Sequence, residues 1–229
     1  VSQLFLRNLL STPAGREHML NLMVAAEEGD ETGVFDQLER KADDEELARL
    51  IRRHKEDEQL HASLFRECLH RNGYQAAAVP DELMIIRRIA REAGDGFAEG
   101  ERRGTAAGIT SRSDVMTTYA LLLAIERRGV ERFPQIGAEF RRLGDHQTAD
   151  TFDRVARDEL RHTRYCLAIG RRYAPDDLSF QRAIAHYQRV EARAFLAVGL
   201  AGIAYAQEQG LVFPGPFGRA LATVLRAIA

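Results

Sequence analysis

The chain has 229 residues, a net charge of −2, 45% hydrophobic and 29% charged side chains. That balance provides an apolar core for one domain and excludes bulk attraction to nucleic acid or to an anionic membrane surface. The longest apolar run, Ala194 to Ala206, is too short to cross a bilayer, so no membrane partner is expected. No charged-then-apolar secretory start is visible, and Cys68 and Cys166 form neither a metal nor a redox pair motif; the expected location is a reducing, cytoplasmic one.

In chain order, the apolar start from Leu4 to Leu10 is expected to be a packing or oligomer-contact segment, which leaves a homodimer open. Thr12-Pro13, with Glu17 soon after, marks a helix start. At about 100° per residue, Met19, Leu20, Met23, Val24, Val34, Phe35 and Leu38 predict one long first helix whose apolar stripe centres on Glu27. Glu28, about 100° away, stays a candidate because it precedes Phe35 as Glu126 precedes Phe133, by seven residues. A second helix over about 44–72 gathers Leu47, Leu50, Ile51, Phe65, Cys68 and Leu69, with Glu58 and His61 inside the stripe, and ends at Asn72-Gly73.

Residues 74–112 then read as a crossover. It holds a short helix beginning near Asp81, with Leu83, Ile86 and Ala90 on one face, and a glycine-rich stretch from Gly94 to Gly108. In the third long helix Tyr119, Leu122, Leu123, Val130, Phe133 and Phe140 centre on Glu126, and Pro134 is expected to kink or break it. The fourth, about 148–173, places Glu159 and His162 among Phe152, Val155, Cys166 and Ile169. An extra helix over about 178–207 carries Glu191 on the face of Phe180, Ile184, Tyr187 and Val198, either behind the metal ligands or in an ion pair with an arginine. Pro214 and Pro216 are expected to end it, before an amphipathic tail from Phe217 to Ile228.

The predicted fold is therefore all-α: one domain over 1–229, with helical hairpins at about 13–72 and 113–174 joined by a long crossover, plus an additional C-terminal helix and tail. Glu27 to Glu58 spans 31 residues and Glu126 to Glu159 spans 33, which suits two antiparallel hairpins that bring their carboxylates to one level.

Those carboxylates belong to a pattern. Seven His and 20 Glu in this chain predict about 0.6 Glu-x-x-His matches by chance, and three occur: Glu58/His61, Glu67/His70 and Glu159/His162. Residues at i and i+3 share a helix face. The first and third pairs point into the core, whereas Glu67 and His70 lie nearly opposite and read as a solvated face. Buried carboxylates are costly unless paired or metal-bound, and two divalent ions would neutralise Glu27, Glu58, Glu126 and Glu159. The expected ligand set is Glu27, Glu58, His61, Glu126, Glu159 and His162. His54, one turn before Glu58 in the same stripe, is an additional ligand candidate.

The span from Glu27 to His162 resembles the ferritin-like di-iron carboxylate superfamily, a four-helix bundle with a long crossover between its second and third helices. Asp158-Glu159-Leu160-Arg161-His162 is similar to the Asp-Glu-x-Arg-His motif of its oxygenases and desaturases; Asp57-Glu58-Gln59-Leu60-His61 departs by having Leu60 in place of Arg. The resemblance implies that Asp57 and Asp158 hydrogen-bond ligating histidines from behind. His54-x-x-x-Glu58-x-x-His61 is similar to the three-histidine arylamine N-oxygenases. Ile125-Glu126-Arg127-Arg128-Gly129-Val130-Glu131-Arg132-Phe133 is similar to the third-helix segment of the tRNA isopentenyladenosine hydroxylases, which keeps tRNA as a conceivable partner against the charge argument.

Two irons with mixed carboxylate and imidazole ligands keep open positions for O₂. The expected function is an O₂-activating non-haem di-iron oxidoreductase that oxidises or hydroxylates a small organic substrate with electrons from an external donor, and Tyr119 or Tyr165 stands near the metals. Rival expectations are a ferroxidase or peroxide-detoxifying ferritin-like protein, a dimanganese catalase-like enzyme, and a non-catalytic metal-binding helical module. Iron and manganese share these ligands, so Fe/Mn and Mn/Mn centres stay open.

Overall fold

The computed structural model describes residues 3–28, 33–93 and 109–212, together with Gly215 and Ala220. The described residues are all-helical: α1 (Gln3–Leu10), α2 (Pro13–Glu27), α3 (Val34–Arg40), α4 (Glu45–Arg71), a single 3-10 turn (Asp81–Leu83), α5 (Ile85–Ala93), α6 (Arg112–Arg142), α7 (His146–Tyr173) and α8 (Asp177–Glu208). None of these helices is long and apolar enough to cross a membrane.

Local chemistry sets the boundaries. Thr12, Asp44, Ser111, Asp145 and Asp176 each accept a backbone N–H with the side chain at a helix start, satisfying a donor that the first turn leaves open. Three helices stop by the same device. Gly73, Gly144 and Gly210 adopt positive φ, and the next residue's N–H reaches back to Leu69, Phe140 and Ala206 respectively. Gly210 thus ends α8 ahead of Pro214 and Pro216; those two residues, Gly94–Gly108 and the tail from Phe217 to Ile228 lie outside the described residues.

Several sequence expectations are corrected. The first long helix is two helices: α2 ends at Glu27, and α3 begins after Gly33, whose φ of 60° is open to glycine at little cost. The crossover helix starts at Ile85 after the 3-10 turn, and its buried residue besides Leu83 is Ile89, while Ile86 is half-buried. Helix α6 runs through Pro134 without a break. Proline removes one backbone hydrogen bond, and Phe133, Ile136, Gly137 and Phe140 bury this part of the helix on both sides of it. The apolar start is a helix within the chain's own core: Phe5, Leu6, Leu9 and Leu10 are buried.

Contacts at the helix ends give the directions. Arg16 at the start of α2 donates to Tyr74 just beyond α4, so α2 and α4 are antiparallel. Asn72 at the end of α4 donates to Asp145 and Thr148, and Arg172 at the end of α7 pairs with Asp44, so α4 and α7 are antiparallel as well. Helices α6 and α7 pack most closely of all, with Arg141 bridging to Asp150 and Asp153 across their turn. Helices α4 and α6 consequently run in the same direction, which obliges residues 74–111 to return along the molecule. Helix α8 lies over α5 and α6.

Two large apolar clusters result, beside a small third one of Ile89, Leu121, Val190 and Ala194. One joins α1, α2, α4, α6 and α7 through Leu20, Phe65, Phe140 and Phe152; the other joins α3, α4, α6, α7 and α8 through Phe35, Ile51, Tyr119, Cys166 and Phe180. Both cysteines are free and buried. Glu58 on α4, Glu126 on α6 and Glu159 on α7 fall along their helices between the residues of these clusters. Close approach fixes the α7–α8 corner: a Cβ on Gly170 would stand 2.2 Å from Cζ of the buried Phe180 ring. Gly170→Ala should destabilise the fold by about 1–3 kcal/mol through overpacking, read as a lowered melting temperature; an unchanged melting temperature would contradict this packing.

Candidate metal centre

Helix periodicity delivers seven side chains to the waist between the two apolar clusters. Glu27 comes from the last turn of α2, His54, Glu58 and His61 from α4, Glu126 from α6, and Glu159 and His162 from α7. All but Glu58 are buried. They form two quartets, His54/Glu58/Glu126/His162 and Glu27/Glu58/His61/Glu159, and in each the ligand atoms lie within 4.8 Å of one another. Glu58 belongs to both. Glu159 also spans them, with Oε1 3.4 Å from His61 Nδ1 and Oε2 3.3 Å from His162 Nδ1.

The donor atoms converge rather than pair off. His162 Nδ1 stands 3.2 Å from Glu58 Oε1 and 3.3 Å from Glu126 Oε2, and His54 Nε2 is 3.1 Å from Glu126 Oε1 and 3.2 Å from Glu58 Oε1. Yet Glu58 Oε1 and His162 Nδ1 are buried without a hydrogen-bond partner. Lone pairs aimed at a common point and left unsatisfied suit a cation between them. Oxygen and imidazole nitrogen donors with no thiolate suit iron or manganese. These buried groups can hold a metal ion.

Without a cation the carboxylates must share protons. Burial pushes Glu27 up to about 8, helped by the charge on Glu58 and opposed by the hydrogen bond with His61. Burial and the Glu126 charge raise Glu159. Glu58 goes the other way: burial is outweighed by His162 and His54, which hold it down to about 2. All three imidazoles are raised because adjacent carboxylates overcome the effect of burial. Carboxyls are thus driven apart by their surroundings, as happens when like charges share one site.

Behind the histidines the two motifs exchange partners. Asp57 Oδ2 is 3.3 Å from His162 Nε2, and Asp158 Oδ2 is 3.3 Å from His61 Nε2. Arg161 donates 2.8 Å to Asp57 and 2.6 Å to Asp158, so one guanidinium ties both aspartates together. Leu60 needs no arginine's role, since Arg161 serves both sides. With each Nε2 held by an aspartate, Nδ1 is the nitrogen presented to the cluster.

The remaining candidates separate cleanly. Tyr165 sets its ring 5.4 Å from those of His54 and His162, edge-on to the first and tilted to the second, and burial pushes its phenol up to about 12. Tyr119 belongs instead to the apolar cluster of Phe35 and Cys166, with its hydroxyl unpartnered. Glu191 is in a two-pronged ion pair with Arg128, at 2.9 and 2.8 Å, and does not stand behind the ligands. Glu28 is turned outward to Arg66, which leaves Glu27 as the inward carboxylate of α2. Glu67 and His70 are exposed.

Sequence reasoning missed a cavity of ≈ 280 Å³ against the cluster, lined by Glu27, Glu58, Glu126 and Glu159 on one wall and by Met23, Ile86, Ile125, Phe133, Phe195 and Val198 among its apolar residues. It also missed Gly129. A Cβ there would stand 3.1 Å from Glu159 Cγ, so the glycine inside α6 makes room for a bridging carboxylate. A glycine in the middle of a predicted helix was the available signal.

Set against protein-family models, curated proteins and solved structures, the chain matches none. Replacement of Glu126 or Glu159 by Ala should cut bound Fe(II) or Mn(II) to less than about half of wild type, measured by elemental analysis. Glu67→Ala with His70→Ala should leave both metal content and melting temperature within error. Unchanged metal in both single variants, or its loss in the double one, would reject the ligand set.

Proposed function

We propose that this chain is a ferritin-like di-iron carboxylate protein whose four-helix bundle is α2, α4, α6 and α7, and that it uses O₂ to oxidise or hydroxylate a small organic substrate. The observation that carries the reading is the pair of quartets sharing Glu58, set directly against an apolar cavity. The directions of α4 and α6, and the long return between them, agree with such a bundle.

Glu27, Glu58, His61 and Glu159 would hold one ion, and His54, Glu58, Glu126 and His162 would hold the other. Bound there, two irons would supply the electrons for O₂ reduction and the oxidising power for a substrate C–H or N–H bond. The chain's own contribution is placement and exclusion. Asp57, Asp158 and Arg161 hold His61 and His162 in one tautomer and orientation. The cavity walls hold an apolar substrate beside Glu58 and Glu126 while keeping water away, and such a pocket favours an oxidase of organic molecules over iron storage.

His54 gives the centre an extra imidazole on the Glu126 side. His54→Ala should therefore retain the fold and most of the iron yet shift the absorption spectrum of the O₂-treated protein; an unaltered spectrum in a folded, iron-loaded variant would remove His54 from the ligand set. The whole reading is tested by O₂ uptake of the Fe(II)-loaded protein, with particle size measured alongside. Uptake by a monomer or dimer without iron-core formation is expected. A storage shell, or a centre that binds metal but consumes no O₂, would overturn it.

A further inference from the structure

The cavity beside the carboxylates has a cationic side. Arg128 and Arg132, successive turns of α6, both line it and both stack over the ring of Phe195 from α8, at 4.2 and 5.6 Å. Their charges are met differently. Arg128 takes both neighbouring acids, Glu191 at 2.8 Å and Glu131 at 3.3 Å. Arg132 donates to the neutral amide oxygen of Gln135 at 2.8 Å and forms no ion pair with a carboxylate among the described residues. It is nonetheless half-buried. Glu131 acts on it only through space, and a guanidinium withdrawn from water with no anion in contact is costly unless something supplies one.

We propose that the cavity binds a small apolar organic acid, its carboxylate paired with Arg132 and its carbon chain lying along the apolar walls toward Glu58 and Glu126. Arg132 follows Glu126 by six residues, about 9 Å along the helix axis, so an acid held there extends its chain to the cluster. The walls suit such a chain: Met23, Ile86, Ile125 and Val198 are apolar, and Gly202 of α8 presents no side chain. Among the described residues Arg132 is the guanidinium of the lining that has no carboxylate in contact, which fixes the orientation: head at Arg132, tail at the metal ligands. Burial lowers the pKa of His18, the other basic residue in the lining, so it brings no competing charge at neutral pH.

The inference names a substrate class for the oxidase reading and rests on that reading for turnover, but binding itself needs no metal. Isothermal titration of the metal-free protein with octanoate, 1-octanol and octylamine therefore tests it apart from any result on iron or O₂. Octanoate should bind about tenfold more tightly than octanol, the worth of one charge-assisted contact. Arg132→Gln should erase that preference, and Arg132→Lys should keep part of it. A Cβ at Gly202 meets nothing within 4 Å, so Gly202→Leu should fill the space and weaken both ligands without unfolding the protein. Equal binding of octanoate and octanol, tighter binding of octylamine, binding of none of the three, or a preference that survives in Arg132→Gln would each overturn the proposal. Should Arg132→Gln fail to fold by circular dichroism, the neutral Arg132→Met decides: an undiminished preference in the folded methionine variant is the overturning result.

Discussion

Four glutamates and three histidines drawn away from bulk water make an arrangement that falls apart electrostatically unless every charge has a partner, and most features of this fold answer that constraint. Each buried ion costs several kcal/mol before compensation. The cluster meets the cost by setting imidazoles among the carboxylates around Glu58 and Glu159, and by pairing Glu27 with Glu58 and Glu126 with Glu159 through hydrogen bonds. Two large apolar clusters flank the site along the helices, through Phe65 and Phe152 on one side and Tyr119 and Cys166 on the other. A network so confined can hold a metal ion, whose charge would offset that of the glutamates.

Exchange of partners between the two motifs adds rigidity that neither motif has by itself. Asp57 of α4 holds His162 of α7, Asp158 of α7 holds His61 of α4, and Arg161 spans both aspartates. Rotation of either helix would break two hydrogen bonds on its partner as well as its own. This lock explains why α4 and α7, which otherwise share few close backbone approaches, stay in register at the level of the site. It also removes the need for a second arginine at Leu60, which is left partly exposed.

Much of this was legible in the sequence, and the reason is periodicity. A 27-residue or 31-residue helix repeats its apolar stripe often enough for the phase of Glu58, His61 and Glu126 to be unambiguous, and the same phase argument sets Glu67 and His70 outside. The choice between Glu27 and Glu28 was harder because both stand at the end of α2, where a stripe drawn through Val34 and Phe35 assumed a helix that Gly33 interrupts. His54 could be placed on the right face but not joined to Glu126, 72 residues away, since that contact depends on how α4 and α6 cross. Of the kink or break expected at Pro134, the break does not occur: the packing that keeps α6 continuous is tertiary, and the local rule counts only the lost hydrogen bond.

The cavity lay beyond any such reading, because empty space has no sequence period. It exists where α8 crosses α5 and α6 with Gly199 and Gly202 in place of larger side chains, and where Gly129 lets Glu159 lean across. The consequence is an asymmetric site. On the side of Tyr165 and Phe35 the cluster is sealed by aromatic rings around His54; on the side of α8 it opens to apolar space with a guanidinium at a distance. Helix α8 is thus more than an appendage to the four helices that carry the ligands. Glu191 pairs with Arg128, and Phe195 lies under Arg132 at the cavity wall, so the helix that brings no residue to the cluster is the one that shapes the space beside it.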